Sequence, residues 1–342
     1  MRADLNIDFI GKRKIFYTIS ICLIVIGVLF TIIFGGVDLS IEFKGGAIIQ
    51  YAYSGTIDKD AAASVAQKVL PQDNINTRFD VVQSTTKKNL KYLVYEVNTS
   101  LTSDQQAALY NAVKAKFPDS GIVKGTSQDV SASMGGEFLQ KSILAVILAS
   151  LLIILYIWIR FRKIGGLPAG LTAFIALLHD VIMGYVAFAI LRIPLDANFI
   201  AVTLTILGYS INDTIVVYDR VRENRRLYGS KLPFKDIVNK SINQSFSRSI
   251  NTTAVTFAAI AVLGIFAVIF NITSLVSFAL PMMVGVATGC YSTICIAGPL
   301  WVTWETYKEK KATAAKQQLA AEKELRRQKL DQAREQKKNK NS

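Results

Sequence analysis

Residues 142–160 read Ser-Ile-Leu-Ala-Val-Ile-Leu-Ala-Ser-Leu-Leu-Ile-Ile-Leu-Tyr-Ile-Trp-Ile-Arg, and the 18 residues before the closing arginine carry no charge. An apolar run of about 20 residues is long enough to cross the hydrocarbon core of a bilayer as a helix. Similar runs recur along the chain, and 51% of all residues are hydrophobic whereas 19% are charged. A soluble protein usually carries about 25% charged residues. The composition therefore predicts a multispanning membrane protein and excludes a disordered chain, a collagen-like fibre and a disulfide-stapled secreted domain.

Outward from this run, the hydropathy pattern predicts six transmembrane helices in all. Their expected ranges are 15–35, 142–160, 165–191, 197–218, 249–270 and 273–303, the last holding Pro281 and Pro299, and a proline can kink a helix. Six spans place both chain termini on one side. Basic residues concentrate in the first 14 residues and in segments 160–163 and 219–248, whereas the short loops near 192–196 and 271–272 hold only Arg192. The positive-inside rule therefore predicts that both termini lie in the cytoplasm.

The net charge of +14 and the three cysteines both have explanations that fit a membrane protein. In a soluble protein this positive surplus would suggest nucleic acid, but here it follows the positive-inside bias, so we expect no nucleic-acid partner. Cys22, Cys290 and Cys295 lie inside apolar runs, so no disulfide or metal framework is expected. The first span follows a basic start without a small-x-small cleavage site, which favours an uncleaved signal anchor.

The segment between the first two spans, residues 37–138, is predicted to be an extracytoplasmic domain with its own core. The residue pattern predicts strands at 41–53, 77–83, 91–98 and 121–131, and helices at 58–70 and 103–117 that stop at Pro71 and Pro118. The order β-α-β-β-α-β suggests a ferredoxin-like unit. It contains no His, no Cys and no nucleophile motif, so we interpret it as a binding or moving part. The remaining divisions are 1–36, a five-helix region at 139–304 and a basic cytoplasmic tail at 305–342, predicted to be a solvated helix or a partly disordered arm.

Ionisable residues inside predicted spans mark the candidate functional site, because each costs roughly 2.5–3.5 kcal/mol at a helix centre and needs a partner or a function. Asp213 follows about 16 uncharged residues of the fourth span, and Arg248 lies at a similar depth at the start of the fifth. If these spans pack together, the two residues can load and release a proton as the helices shift. The structural alternative is that both side chains snorkel towards the headgroups.

A third candidate is His179 with Asp180, near the middle of the third span. A proton relay is the functional interpretation of these two residues, and a hydrogen bond between helices is the structural alternative. Gly285 and Gly289, four residues apart in the sixth span, fit a close helix contact. Asn212 is predicted to take part in proton coupling together with Asp213 and Arg248, and the secondary polar candidates in the spans are Tyr209, Ser210, Thr214, Asn251 and Thr252.

Four segments resemble the SecF family of protein-export membrane proteins: Leu207-Gly-Tyr-Ser-Ile-Asn-Asp-Thr-Ile-Val-Val-Tyr-Asp-Arg-Val-Arg-Glu-Asn224, Ile41-Glu-Phe-Lys-Gly-Gly46, Ala176-Leu-Leu-His-Asp-Val181 and Gln244-Ser-Phe-Ser-Arg-Ser-Ile-Asn-Thr-Thr253. The resemblance covers the chain to about residue 303, and Lys44 departs from it. It implies a polytopic α-helical half-transporter of the RND type, in complex with SecD and beside the protein-conducting Sec channel. It further implies that Asp213 and Arg248 couple the proton motive force to protein translocation.

The expected function is an accessory subunit of protein export without catalysis or cofactor. The expected partners are SecD, the Sec channel, the emerging preprotein chain and anionic lipid near the basic cytoplasmic segments. An RND-type exporter half for lipids or small hydrophobic compounds is the alternative, but it would usually have twelve spans or two large outer domains. An intramembrane hydrolase is disfavoured, because His179 is the only histidine and no Gly-x-Ser-x-Gly occurs.

Overall fold

The computed structural model describes residues 6–70, 75–82, 90–130, 132–229, 231–270 and 272–340. In chain order the elements are α1 (Arg13–Ile33), α2 (Ile41–Lys44), β1 (Gly46–Tyr53), α3 (Lys59–Val69), β2 (Ile75–Val82), β3 (Leu90–Val97), α4 (Ser103–Lys116), β4 (Val123–Val130), α5 (Ala132–Arg160), α6 (Gly166–Leu191), α7 (Ala197–Tyr228), α8 (Phe234–Ile269), α9 (Thr273–Ser292) and α10 (Gly298–Lys340). A π-helical turn, Thr293–Ala297, joins α9 to α10.

Six helical segments within the described residues are long and apolar enough to cross a membrane, as the hydropathy pattern predicts. The helices α6, α7 and α9 form the centre of the bundle, whereas only 11% of the most apolar window of α1, α5 and α8 is buried by the rest of the chain. Near the end of the bundle that carries the chain termini, hereafter the terminal side, Trp301 packs against Tyr218 and Phe234. The outer helices therefore present apolar surface to lipid or to another membrane protein.

On the terminal side α7 and α8 continue far beyond the predicted span limits of 218 and 249. The segment 219–248, expected as a charged loop, is two helix extensions joined by a short turn. The buried Asn224 side-chain amide donates to Ser241 Oγ at 2.9 Å and to Gln244 Oε1 at 2.7 Å, which holds the extensions together. Asn239 and Asn243 of α8 bind the backbone of residues 7–10, so the N-terminal segment docks on this hairpin.

The domain between α1 and α5 is a four-stranded antiparallel sheet with the order β2-β3-β1-β4 and two helices, α3 and α4. In the registers, Ile49 faces Tyr95 between β1 and β3, and Thr77 also faces Tyr95 between β2 and β3. Asp58 and Thr102 cap α3 and α4 through side-chain hydrogen bonds to the first turns, the latter in a capping box with Gln105. This order of elements and strands is the ferredoxin-like topology that the sequence predicts.

The structure corrects the predicted boundaries of this region. The segment 41–44, expected as strand, is the one-turn helix α2, because Ser40 caps it and Gly45 ends it at φ 80°. The boundary at 138 falls inside α5, which begins at Ala132 and whose Phe138 stacks on Phe43 of α2 with the ring centroids 5.5 Å apart. The predicted stop at Pro71 and the predicted strand ends at 83 and 131 lie outside the described residues.

The tail beyond 305 is helical to residue 340 in α10, in agreement with the first of its two predicted alternatives. The three cysteines are free, and Cys290 and Cys295 are buried as expected, whereas Cys22 is exposed on the outer surface of α1. The helix α9 includes Pro281 in its interior.

Candidate functional site

A buried carboxylate, Asp180, lies where α6, α7 and α9 meet. Its side chain is fully buried, and Ser210 of α7 and Ser292 of α9 both donate to its Oδ2, at 2.7 and 2.6 Å. His179 Nδ1 lies 3.1 Å from the other oxygen, Oδ1. A charged or strongly polar group in a membrane interior is tolerated when it is satisfied in this way. Asp180 therefore joins the three central helices.

Close packing between α7 and α9 brings these groups within hydrogen-bond distance. A Cβ built on Gly285 would lie 2.1 Å from Ile206 Cδ1, and one on Gly289 would lie 3.2 Å from Ser210 Cβ. The two glycines therefore allow the helix backbones to approach, which is the structural role expected for them. Ser210 lies against Gly289, so the close approach of α7 and α9 also sets the position of the Ser210 hydroxyl that donates to Asp180.

Asp213 lies on α7, one turn beyond Ser210, and its environment differs from that of Asp180. It is 8% exposed, and Ser249 of α8 donates to its Oδ1 at 2.6 Å. Its other oxygen, Oδ2, is buried and has no hydrogen-bond partner among the described residues. Burial without a full set of donors disfavours a negative charge in a low-dielectric environment. Asp213 can therefore change its protonation state with less loss of hydrogen bonding than Asp180.

Arg248 does not form the expected direct pair with Asp213. Within the described part of the chain, no ion pair of 4.0 Å or less joins the two side chains, and it is the neighbouring Ser249 that contacts the carboxylate. Arg248 is exposed instead, as are Asn212 of α7 and Asn251 and Thr252 of α8. These polar residues at membrane depth face away from the chain's own core.

The other predicted polar residues make contacts between helices. Tyr209 Oη donates to Thr253 Oγ1 at 2.9 Å, and the hydroxyls of Thr214 and Thr293 lie 2.9 Å apart. Thr293 begins the π-helical turn, a feature often found at functional sites. Sequence reasoning missed Ser249, which adjoins Arg248 within the segment 244–253. It also missed Ser292 and Thr293, for which the only signal was a polar pair inside an apolar run.

A wide cleft on the terminal side leads towards this region. It has a volume of about 2550 Å³ and is lined by α7 together with residues of α5 and α8. Val216, Ser245 and Arg248 lie in its wall, within one helical turn of Asp213 or Ser249. Asp219, which also lines the cleft, forms ion pairs through Oδ1 with Arg160 and Arg222 at 3.0 and 2.9 Å, and Arg160 donates a hydrogen bond to its Oδ2 at 3.1 Å. The cleft can bring water from the terminal side close to Asp213.

The opposite end of α7 is tied to the ferredoxin-like domain. Glu42 of α2 accepts a hydrogen bond through Oε2 from the backbone amide of Ala197, the first residue of α7, at 2.7 Å. The backbones of Leu39 and Leu195 form a parallel bridge just before that helix. The helix that carries Asp213 is thus attached directly to the base of the domain.

Fold and site together define a six-span membrane protein with a ferredoxin-like domain after its first span and a buried, partly satisfied carboxylate in its centre. The family model for the C-terminal region of the protein export membrane proteins SecD and SecF matches residues 110–307. The protein translocase subunit SecF of Sebaldella termitidis is 32% identical over 308 residues, covering 89% of this chain and 94% of that protein. The chain therefore belongs to the SecD/SecF family of protein-export membrane proteins.

Other relatives in this family are longer, fused chains. The protein translocase subunit SecDF of Bacillus subtilis is 33% identical over 311 residues, which cover 90% of this chain and 39% of that protein. The crystal structure of SecDF from Thermus thermophilus, a translocon-associated membrane protein, superposes with a TM-score of 0.71 at 25% identity. The superposition includes 90% of this chain and 40% of the Thermus thermophilus chain. The chain thus spans about two fifths of the fused proteins.

Proposed function

We propose that this chain works with SecD to drive late steps of protein translocation with the proton motive force, through protonation-linked movement of its extracytoplasmic domain. The observation that carries the proposal is Asp213, a buried carboxylate with one bound and one open oxygen. It lies on the helix whose first residue binds the domain. The carboxylate proposed to gain and lose a proton and the attachment point of the domain are therefore on one helix.

The proposed orientation has both termini and the α7–α8 hairpin in the cytoplasm, and the domain outside. The hairpin and the adjoining end of α5 place many arginines on the terminal side, and Arg192 is the only basic residue between α6 and α7. The positive-inside rule supports this arrangement.

In the proposed cycle, protonation of Asp213 removes a costly buried charge and changes which packing of α7 against α8 is favoured. Ser249 holds one carboxylate oxygen, so it orients the group towards α8. Arg248, in the wall of the cleft, is placed to interact with the ionised form after a small shift of α8. The cleft gives water a path from the cytoplasm to this region. One charge that crosses about 100 mV yields about 2.3 kcal/mol, enough to bias a two-state movement by up to tens of times.

SecD is the proposed partner because relatives of this chain occur fused to it. The surface that supports the proposal is an exposed stripe on α7 with helical spacing, formed by Ala201, Leu204, Thr205, Gly208 and Asn212, in which Ala201, Thr205 and Gly208 have small side chains. A Cβ added to Gly208 would meet nothing within 4 Å in this chain. Small residues on a membrane helix allow close approach of a second helix.

We propose three further partners, namely the protein-conducting channel, the emerging preprotein and anionic lipid. No catalytic activity is proposed for this chain. The channel and the preprotein follow from the family's role in export. In this proposal the energy comes from the membrane potential and the proton gradient, since no Gly-x-x-x-x-Gly-Lys-Ser/Thr loop occurs in the sequence.

The test is the rate of late translocation in membrane vesicles with and without an imposed proton gradient. Asp213→Asn, which keeps the size of the side chain but cannot ionise, should abolish the gradient-driven acceleration while the protein stays inserted and bound to SecD. Arg248→Met should have the same effect. Asp219→Asn is the matched control and should be mild, because that carboxylate lies among arginines at the wet edge. If vesicles with Asp213→Asn keep the acceleration of the parent, Asp213 is only a structural hydrogen-bonding residue.

A further inference from the structure

The cleft on the terminal side is strongly basic. Eight basic side chains line it, namely Arg160, Arg162, Arg220, Arg222, Arg225, Arg226, Lys240 and Arg248, against three acidic ones, Asp219, Glu223 and Asp236. Such a concentration of one sign of charge in a concave site raises the local concentration of ions of the opposite sign.

The acidic residues in the cleft do not neutralise all of these arginines. Asp219 is shared by Arg160 and Arg222, and Glu223 pairs with Arg220. Two further arginines that line the cleft, Arg162 and Arg226, are exposed. Neither makes an ion pair or hydrogen bond with any described residue, whereas Arg248, which also lines the cleft, interacts electrostatically with Asp213. The cleft therefore offers several guanidinium groups to a ligand.

The position of the cleft selects for a ligand of the membrane surface. Arg160 is the last residue of α5, directly after a long apolar run, so the cleft lies where hydrocarbon gives way to headgroups. Trp158 on α5 is about half exposed at this level, as expected for an interfacial aromatic residue. Ile159, Val216 and Leu232 supply apolar wall between the charges. The helices α5 and α8 both contribute residues to the cleft, and only a small part of the apolar surface of each is buried by the rest of the chain, so apolar helix surface adjoins the cleft.

We propose that this cleft binds the phosphate of an anionic phospholipid headgroup, with Arg162 and Arg226 as ligand-binding residues. Guanidinium groups match phosphate oxygens in geometry as well as in charge. The apolar wall and the adjoining apolar helix surface suit the glycerol and acyl parts, which a free phosphate compound lacks. This inference rests on the proposed partnership with anionic lipid and assigns it to one site, but it does not depend on proton coupling by Asp213.

The experiment uses the full-length chain in complex with SecD, delipidated in detergent, with native mass spectrometry as the readout. The probes are cardiolipin, phosphatidylcholine and inorganic pyrophosphate. The variant is Arg162→Gln with Arg226→Gln, and the control is Lys310→Gln with Lys311→Gln, which removes two exposed charges from α10 outside the cleft. Each basic group near an anionic headgroup contributes a factor of about five, so cardiolipin should bind the cleft variant about 25-fold more weakly. The control should change by less than about twofold.

Weak binding of pyrophosphate by the parent protein supports a lipid as the source of the phosphate. Weak binding of phosphatidylcholine supports a lipid with a net negative charge. Pyrophosphate binding as tight as that of cardiolipin overturns the assignment to lipid. Equal cardiolipin binding by the cleft variant and the control overturns the site itself. If the cleft variant loses SecD while its cardiolipin affinity is unchanged, the cleft binds the partner protein and the proposal is wrong.

Discussion

The hydrogen bond from the Ala197 amide to Glu42 joins the domain to the helix that carries Asp213, and Glu42→Ala should weaken that joint measurably. A hydrogen bond to a charged group contributes about 1.5–3 kcal/mol, and a carboxylate at a helix N-terminus about 0.3–1 kcal/mol. Glu42 is exposed, so solvent screening reduces the total, and we expect a loss of about 1 kcal/mol. Glu42→Gln keeps a neutral acceptor and should lose less than about half of that.

Hydrogen exchange of the first turn of α7, measured on the full complex, is the assay. A loss of about 1 kcal/mol corresponds to exchange about five times faster at Ala197, and Glu42→Gln should accelerate it about twofold or less. Glu137→Ala is the control, since Glu137 is an exposed carboxylate that pairs with Lys141 within its own helix. The gradient-driven acceleration of translocation should fall in the same order as the exchange protection. Unchanged exchange in Glu42→Ala would refute the idea that this contact couples α7 to the domain.

Three further predictions concern the α7 surface and the domain core. Gly208→Leu should abolish co-purification with SecD while leaving insertion intact, whereas the same change at Gly136, which is equally open in this chain, should retain SecD. Tyr95→Phe should destabilise the domain by about 1 kcal/mol in urea unfolding, because Tyr95 Oη donates to Ala62 O at 2.9 Å. Tyr51→Phe should cost less than about 0.5 kcal/mol, because the buried Tyr51 hydroxyl has no partner among the described residues. Burial raises the pKa of both tyrosines, so their neutral forms are favoured in the folded domain. Their contribution to its stability should be constant below about pH 10 and be lost as the pH rises further, so the alkaline loss of stability in a pH series of unfolding curves should be smaller in Tyr51→Phe and Tyr95→Phe than in the parent.

Much of the fold could be predicted because it depends on local patterns. The apolar runs have the length of a helix that spans a bilayer. In the domain, strand and helix patterns alternate, Asp58 marks the start of one predicted helix, and prolines mark the predicted helix ends. The ends of α7 and α8 could not be predicted, since their extension depends on contacts such as that of Asn224 with Ser241, distant in the sequence. Residues 41–44 were expected to be strand because the apolar Ile41 and Phe43 alternate with polar residues. A one-turn helix can carry the same alternation.

For the site, the cost of burying charge identified Asp213 and Asp180 from sequence alone, and both are buried in the bundle. The hydrogen-bond partners were beyond that reasoning. Ser292 lies 112 residues from Asp180, and serine in an apolar run has no distinctive pattern. The expected pairing with Arg248 assumed that neighbours in depth also face each other. In the structure the residue of α8 that contacts Asp213 is Ser249, one position after Arg248 in the helix.

The most direct test of the proposed mechanism is whether the domain moves when a proton gradient is imposed. Fluorescence energy transfer can be measured in proteoliposomes of the complex with SecD, between dyes at Ala115 on α4 and Ala312 on α10, both exposed. We expect the transfer efficiency of the parent to change when the gradient is applied and to return when it is collapsed. The Asp213→Asn complex should keep one constant value. A change of equal size in both complexes, or none in the parent, would contradict protonation-linked movement of the domain.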